Sequence, residues 1–215
     1  MLEQAHGRFH IYINLDKVKR ADSPRARFTF AHELGHYFLD EHRRALLAGQ
    51  VPAHPSVTDF SSRNVVEQEA DYFAGCLLLP QARFLRDCRY IPFSTDLIQE
   101  LAQQYQTSLA ATLLRYASIG PHPLVVVCAQ KGNVLWHYRS EDFEFKYLKA
   151  TKGRVPATTA TGEYFNRGKK YGAPEVVFAE DWFEYVEYAR NTFEINEQCF
   201  YFDSVAMALT MIWCN

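Results

Sequence analysis

The sequence has almost no net charge, no paired cysteines at metal-binding spacing, no long apolar run and no internal repeat, and most of these lacks remove a class of function. Across 215 residues, 23 Lys and Arg stand against 25 Asp and Glu, a formal charge of −2. No global field therefore draws the chain to nucleic acid or to a membrane surface. No stretch is apolar for long enough to span a bilayer, and no signal peptide opens the chain. The five cysteines, Cys76, Cys88, Cys128, Cys199 and Cys214, are odd in number. Cys76 and Cys128 lie in apolar runs and read as small buried hydrophobes, which favours a reducing compartment. The expectation is a soluble, cytoplasmic chain without a membrane partner. Its length admits one large domain or two small ones, with ample apolar content for a core.

What is present centres on Phe28-Thr29-Phe30-Ala31-His32-Glu33-Leu34-Gly35-His36-Tyr37-Phe38-Leu39. Ser23 can cap a helix here, and Pro24 suits its first position, where the missing N–H does no harm. From Arg25 to Leu47 there is no proline and only one glycine, Gly35, so no breaker marks an end to the helix before Leu47. At about 100° per residue, Phe28, Ala31, Gly35, Phe38 and Leu39 share an apolar arc. His32 and His36 border that arc about 40° apart, so both imidazoles can reach one metal ion. Glu33 stands near enough to serve as a general base without ligating. Solvated His and Glu on a surface helix are the bland alternative; unpaired imidazoles beside an apolar arc argue against it.

A catalytic zinc takes three protein ligands and one open position. His42 lies ten residues after His32, the spacing of the metzincin pattern, but that pattern needs a glycine where this chain has Leu39. In a continuous helix His42 is carried about 9 Å beyond His36 and cannot close the site. The next helix offers a better third ligand. Val65 to Leu79 is capped by Ser61 or Ser62 and stopped by Pro80, with Val66, Ala70, Phe73, Ala74, Leu77 and Leu78 as its buried arc. Glu67 falls inside that arc, where a carboxylate demands a cation, while Glu69 points the other way. An ion pair with Arg63 is the competing explanation for Glu67. Asp71, one turn on, can orient a ligating imidazole from outside the metal sphere.

FTFAHELGH, ending at His36, followed by EQEADYFAGCLLLP over Glu67–Pro80, resembles the ImmA/IrrE family of zinc metallopeptidases. The resemblance covers Arg8 to Ser118 well and the remainder loosely. It implies a zincin-like core, a zinc cofactor, and cleavage of an intracellular protein, which in the best-known members is a helix-turn-helix transcriptional repressor. Members often have Asn where this chain has Asp71, and either side chain can orient a ligand. Members also carry more residues before the first strand, so the chain reads as trimmed or as a short member.

Taken in order, Arg8–Asn14 alternates, with Phe9, Ile11 and Ile13 on one side, and reads as a strand whose edge can pair with an extended substrate. Lys17 to Arg27 is a basic loop. The polar stretch between His42 and Ser62 reads as a loop able to cover a cleft. Its His54 is either an electrophilic helper or a solvated loop residue. A short helix fits Pro80–Tyr90, and two helices capped by Ser94 and Ser108 fit Ser94–Ser118. The second pair has helix-turn-helix spacing, a segment common in the family. Its one basic residue, Arg115, argues for packing scaffold over DNA contact. Beyond Gly120-Pro121, Leu124–Ala129 and Val134–Arg139 flank a turn at Lys131-Gly132-Asn133. Phe143–Leu148 reads as a strand, Thr151–Ala173 as a mobile basic loop, and Asp181–Ala189 as neither period. Thr192–Asp203 and Val205–Trp213 read as strands, with Cys199 in the core.

The fold class expected is α+β: a zincin-like metallopeptidase core (1–92), a helix-turn-helix-like helical segment (93–120) and a C-terminal β-rich unit (121–215) that senses a ligand, binds substrate or completes the fold. The function expected is a zinc-dependent endopeptidase with His32, His36 and Glu67 as ligands, Glu33 as general base and Asp71 as orienter. Its partner is a protein substrate, a repressor, and direct nucleic-acid binding is not expected. Manganese or iron can also occupy such a donor set in vitro. The competing classes are a non-catalytic anti-repressor with a structural metal site and a DNA-binding regulator.

Overall fold

The computed structural model describes residues 2–5, 8–49, 64–186 and 193–214. They form an α+β chain that divides into two compact units, one of residues 1–87 and 96–112, the other of residues 88–95 and 113–215.

In the first unit β1 (Leu2–Ala5) pairs antiparallel with β2 (Arg8–Ile11). Phe9 and Ile11 are half-buried while Arg8 and His10 are exposed, the alternation expected of a strand with one packed face. A one-turn helix, α1 (Leu15–Val18), overlaps the start of the expected basic loop. Then α2 (Pro24–Phe38) begins as anticipated, with Ser23 Oγ accepting from the Ala26 N–H at 3.1 Å. It does not continue to Leu47. Leu39 is extended (φ −75°, ψ 115°), and a separate helix, α3 (Asp40–Leu47), follows. No glycine or proline marks the break. Contacts across the bend accompany it instead: His42 is buried against His36, and Arg43 donates to Asp40 and to the Tyr37 carbonyl.

Asn64, not Ser61 or Ser62, caps α4 (Val65–Leu78), its Oδ1 accepting from the Val66 N–H at 3.1 Å. Ser61, Ser62, Arg63 and His54 lie outside the described residues. Ala70 and Ala74 are buried and Phe73 and Leu78 partly so, but Val66 and Leu77 are exposed rather than part of the arc. The buried face is narrow because α4 meets α2 through small side chains, with Ala31 and Ala74 clustered beside Phe28 and Ala111. After it come α5 (Gln81–Cys88), α6 (Thr95–Tyr105) and α7 (Leu109–Ile119), the helices the sequence suggests. Ser108 Oγ accepts from the Ala111 N–H, and Tyr105 closes on α5 by donating to Asp87 at 2.8 Å.

The second unit is built on one antiparallel sheet. Its elements are β3 (Val125–Gln130), β4 (Asn133–Arg139), β5 (Gly153–Arg154), α8 (Ala160–Arg167), β6 (Glu175–Phe178), α9 (Ala179–Trp182), β7 (Glu194–Phe202) and β8 (Met207–Cys214). The strand order is β5-β4-β3-β8-β7-β6. Lys131 and Gly132 both take positive φ (50° and 78°), as a two-residue hairpin turn between β3 and β4 requires. Phe143–Leu148 is not a strand. Its rings pack inward, Phe143 and Phe145 lying 5.6 and 5.3 Å from the Phe183 ring, and Leu148 makes a single bridge to Phe183. Nor is 151–173 simply a loop, since it contains α8. Thr159 caps that helix, and the buried Glu197 carboxylate accepts from the Ala160 and Thr161 N–H groups at its N-terminus. Arg167 and Lys169 of the basic cluster pair with Glu163. Cys199 is a core residue against Thr161 and Thr210.

Candidate metal centre

Two helices position the candidate site. His32 and His36 lie one turn apart on α2, and Glu67 lies on α4 near its start. All three are buried. The helices approach closely at Gly35, where a Cβ would stand 3.1 Å from Ala70 Cα and 3.3 Å from Phe73 Cβ. That approach allows side chains from both helices to converge. His32 Nε2 is 3.0 Å from His36 Nε2 and 3.3 Å from Glu67 Oε2, and His36 Nε2 is 3.5 Å from Glu67 Oε1. Metal bonds of about 2.0–2.1 Å place tetrahedral donors about 3.3 Å apart, so this triangle has the dimensions of a three-donor face. Among the described residues His32, His36 and Glu67 are the group able to hold a metal ion.

The outer nitrogens are also engaged. His32 Nδ1 lies 2.8 Å from Asp71 Oδ1; the carboxylate can only accept, so this nitrogen carries the proton. His36 Nδ1 lies 3.1 Å from His42 Nδ1, and His42 Nε2 is 2.8 Å from Glu69 Oε2. On a continuous helix His42 would lie too far along to approach His36, and helical spacing alone turns Glu69 away from Glu67. The bend at Leu39 returns His42 to His36, and Glu69, although exposed, reaches His42. Glu33 is buried next to His32 in the chain, and its charge favours the protonated form of His36.

Burial pulls the His32 pKa down, but the hydrogen bonds and charges of Asp71 and Glu67 outweigh it and raise it to about 9. Burial and the charge on His32 push His36 down to about 4. With Nδ1–H directed to Asp71, the second His32 proton sits on Nε2, facing His36 and Glu67.

The profile of the IrrE N-terminal-like domain matches residues 10–116, which contain His32, Glu33, His36, Glu67 and Asp71. The chain belongs to the ImmA/IrrE family. The family is of metallopeptidase type, and membership in it accords with a metal at the His32, His36 and Glu67 cluster. A solved structure described as a Mycobacterium tuberculosis transcriptional regulator shares the fold, with a TM-score of 0.58 at 14% identity. The alignment covers 89% of this ImmA/IrrE chain and 56% of that structure, so the chain spans little more than half its length. No curated protein matches the sequence. Among the described residues no helix is long and apolar enough to cross a membrane.

Proposed function

We propose that the chain is a zinc-dependent endopeptidase that cleaves an intracellular protein, with a helix-turn-helix transcriptional repressor as its substrate and the cytoplasm as its setting. The observation that carries this reading is the donor triangle of His32, His36 and Glu67 with the buried carboxylate of Glu33 beside it. His32, His36 and Glu67 would hold the ion, and Asp71 fixes the His32 ring with Nε2 turned inward. A bound zinc supplies a Lewis acid that lowers the pKa of water and polarises the scissile carbonyl. Glu33 accepts the proton of the attacking water and passes it to the leaving amine nitrogen.

Elemental analysis tests the metal directly. About one zinc per chain is expected in the wild type, and Glu67→Ala, which removes one of three donors, is expected to lose it. A chain that takes up no zinc under any loading condition would sink the reading. Cleavage of a co-expressed repressor, abolished by a chelator and restored by zinc, would then identify the substrate.

The His32 proton gives a second test. It must leave before an ion can occupy its place, so zinc affinity is expected to rise about tenfold per pH unit up to about 9, one proton being released per ion bound. Titration calorimetry in buffers of different ionisation enthalpy counts that proton. A pH-independent affinity across neutral pH would contradict the proposed exchange.

A further inference from the structure

For His36 to offer Nε2 to a metal, its proton must reside on Nδ1, and a buried N–H requires an acceptor. That nitrogen lies 3.1 Å from His42 Nδ1. An imidazole nitrogen accepts only when its ring proton is on the other nitrogen. His42 Nε2 is 2.8 Å from Glu69 Oε2, and a carboxylate accepts without donating, so it draws the proton to Nε2. The two hydrogen bonds therefore run in one direction: His36 donates to His42, and His42 donates to Glu69. We propose that His42, held by Glu69, is a positioning residue that fixes the tautomer and ring orientation of His36 as a metal ligand.

The arrangement parallels the other ligand, with one added ring. Asp71 does directly for His32 what Glu69 does for His36 through His42. The bend at Leu39 is what makes this possible. In an uninterrupted helix His42 would stand about 9 Å further along the axis than His36. Instead the two ring centroids lie 5.2 Å apart, and His42 is 6% exposed with both nitrogens engaged. Glu69 therefore lies two hydrogen bonds out from the same centre.

This inference rests on the proposed metal centre, and the test separates the two. The full chain, stripped of metal, is titrated with zinc against a chromophoric chelator, and metal-free thermal midpoints are recorded in parallel. His42→Phe keeps a planar ring but offers no acceptor, and is expected to weaken zinc binding about ten- to a hundredfold. His42→Asn, whose amide oxygen can accept from His36, is expected to recover most of that loss, which simple repacking would not do. Glu69→Ala is expected to weaken binding several-fold in the wild-type background and to add little to His42→Phe, because the two act in series. Wild-type affinity in His42→Phe, or an Asn variant no better than Phe, overturns the positioning role alone. A wild-type chain that binds no zinc overturns the metal centre and this inference with it.

Discussion

Glu33→Gln is expected to lower peptide-bond cleavage by a factor of about a hundred to ten thousand while the zinc remains bound. The substitution preserves shape and most hydrogen-bonding capacity but removes the ability to accept a proton. The metal should survive because the donor triangle is complete without Glu33: His32, His36 and Glu67 already face one another at 3.0 to 3.5 Å. Loss of a nearby negative charge should weaken the ion's hold only modestly. Zinc content and cleavage of the proposed repressor substrate, measured on the same preparation, separate the effects. If Glu33→Gln still relieves repression in the cell, the chain acts by binding rather than cutting, and the anti-repressor reading replaces the proposed one.

The parts of the site that could be read from sequence are those whose cause is local. The spacing of His32 and His36 is fixed by helical geometry, and Ser23 with Pro24 announces where that helix starts. Glu67 stood out because a carboxylate on an apolar arc has few physical explanations. The hairpin at Lys131-Gly132 and the strands β7 and β8 were legible for the same reason, since turn chemistry and alternation are written into a few adjacent residues. What escaped depends on distant partners. Leu39 carries no breaker, and the contacts that accompany its bend come from His42 and Arg43 after the helices have met. Phe143–Leu148 has the composition of a strand, yet its aromatic rings are drawn into the core around Phe183. The helix α8 lay hidden in a basic stretch because part of its N-terminal capping comes from Glu197. A local signal for it existed in Thr159 at one end and Gly168, in left-handed conformation, at the other. Gly35 is the one glycine in α2, but the need for it lies on the facing helix.

That need supports the second large effect. Gly35→Val is expected to destabilise the metal-free chain by about 1–3 kcal/mol and to weaken zinc binding more than its distance from the ion suggests. A Cβ at this position would lie 3.1 Å from Ala70 Cα and 3.2 Å from Ala70 O, atoms of backbone that cannot rotate aside. Alanine requires the helices to yield by a few tenths of an ångström, and its helix propensity, better by about 1 kcal/mol than glycine's, offsets part of that strain. Valine adds two further carbons and must force α2 and α4 apart. Gly35 adjoins His36, and Ala70 lies between Glu67 and Asp71, so the same separation sets the 3.3 Å from His32 Nε2 to Glu67 and the 2.8 Å from His32 Nδ1 to Asp71. Widening it opens the donor triangle and loosens the group that orients one of its members. Thermal midpoints of the metal-free chains and zinc affinities of Gly35→Ala and Gly35→Val measure the two consequences separately. A valine variant that loses stability yet binds zinc like the wild type would mean that the ligands adjust independently of the helix contact, and that the centre is held by its side chains rather than by the packing of α2 on α4.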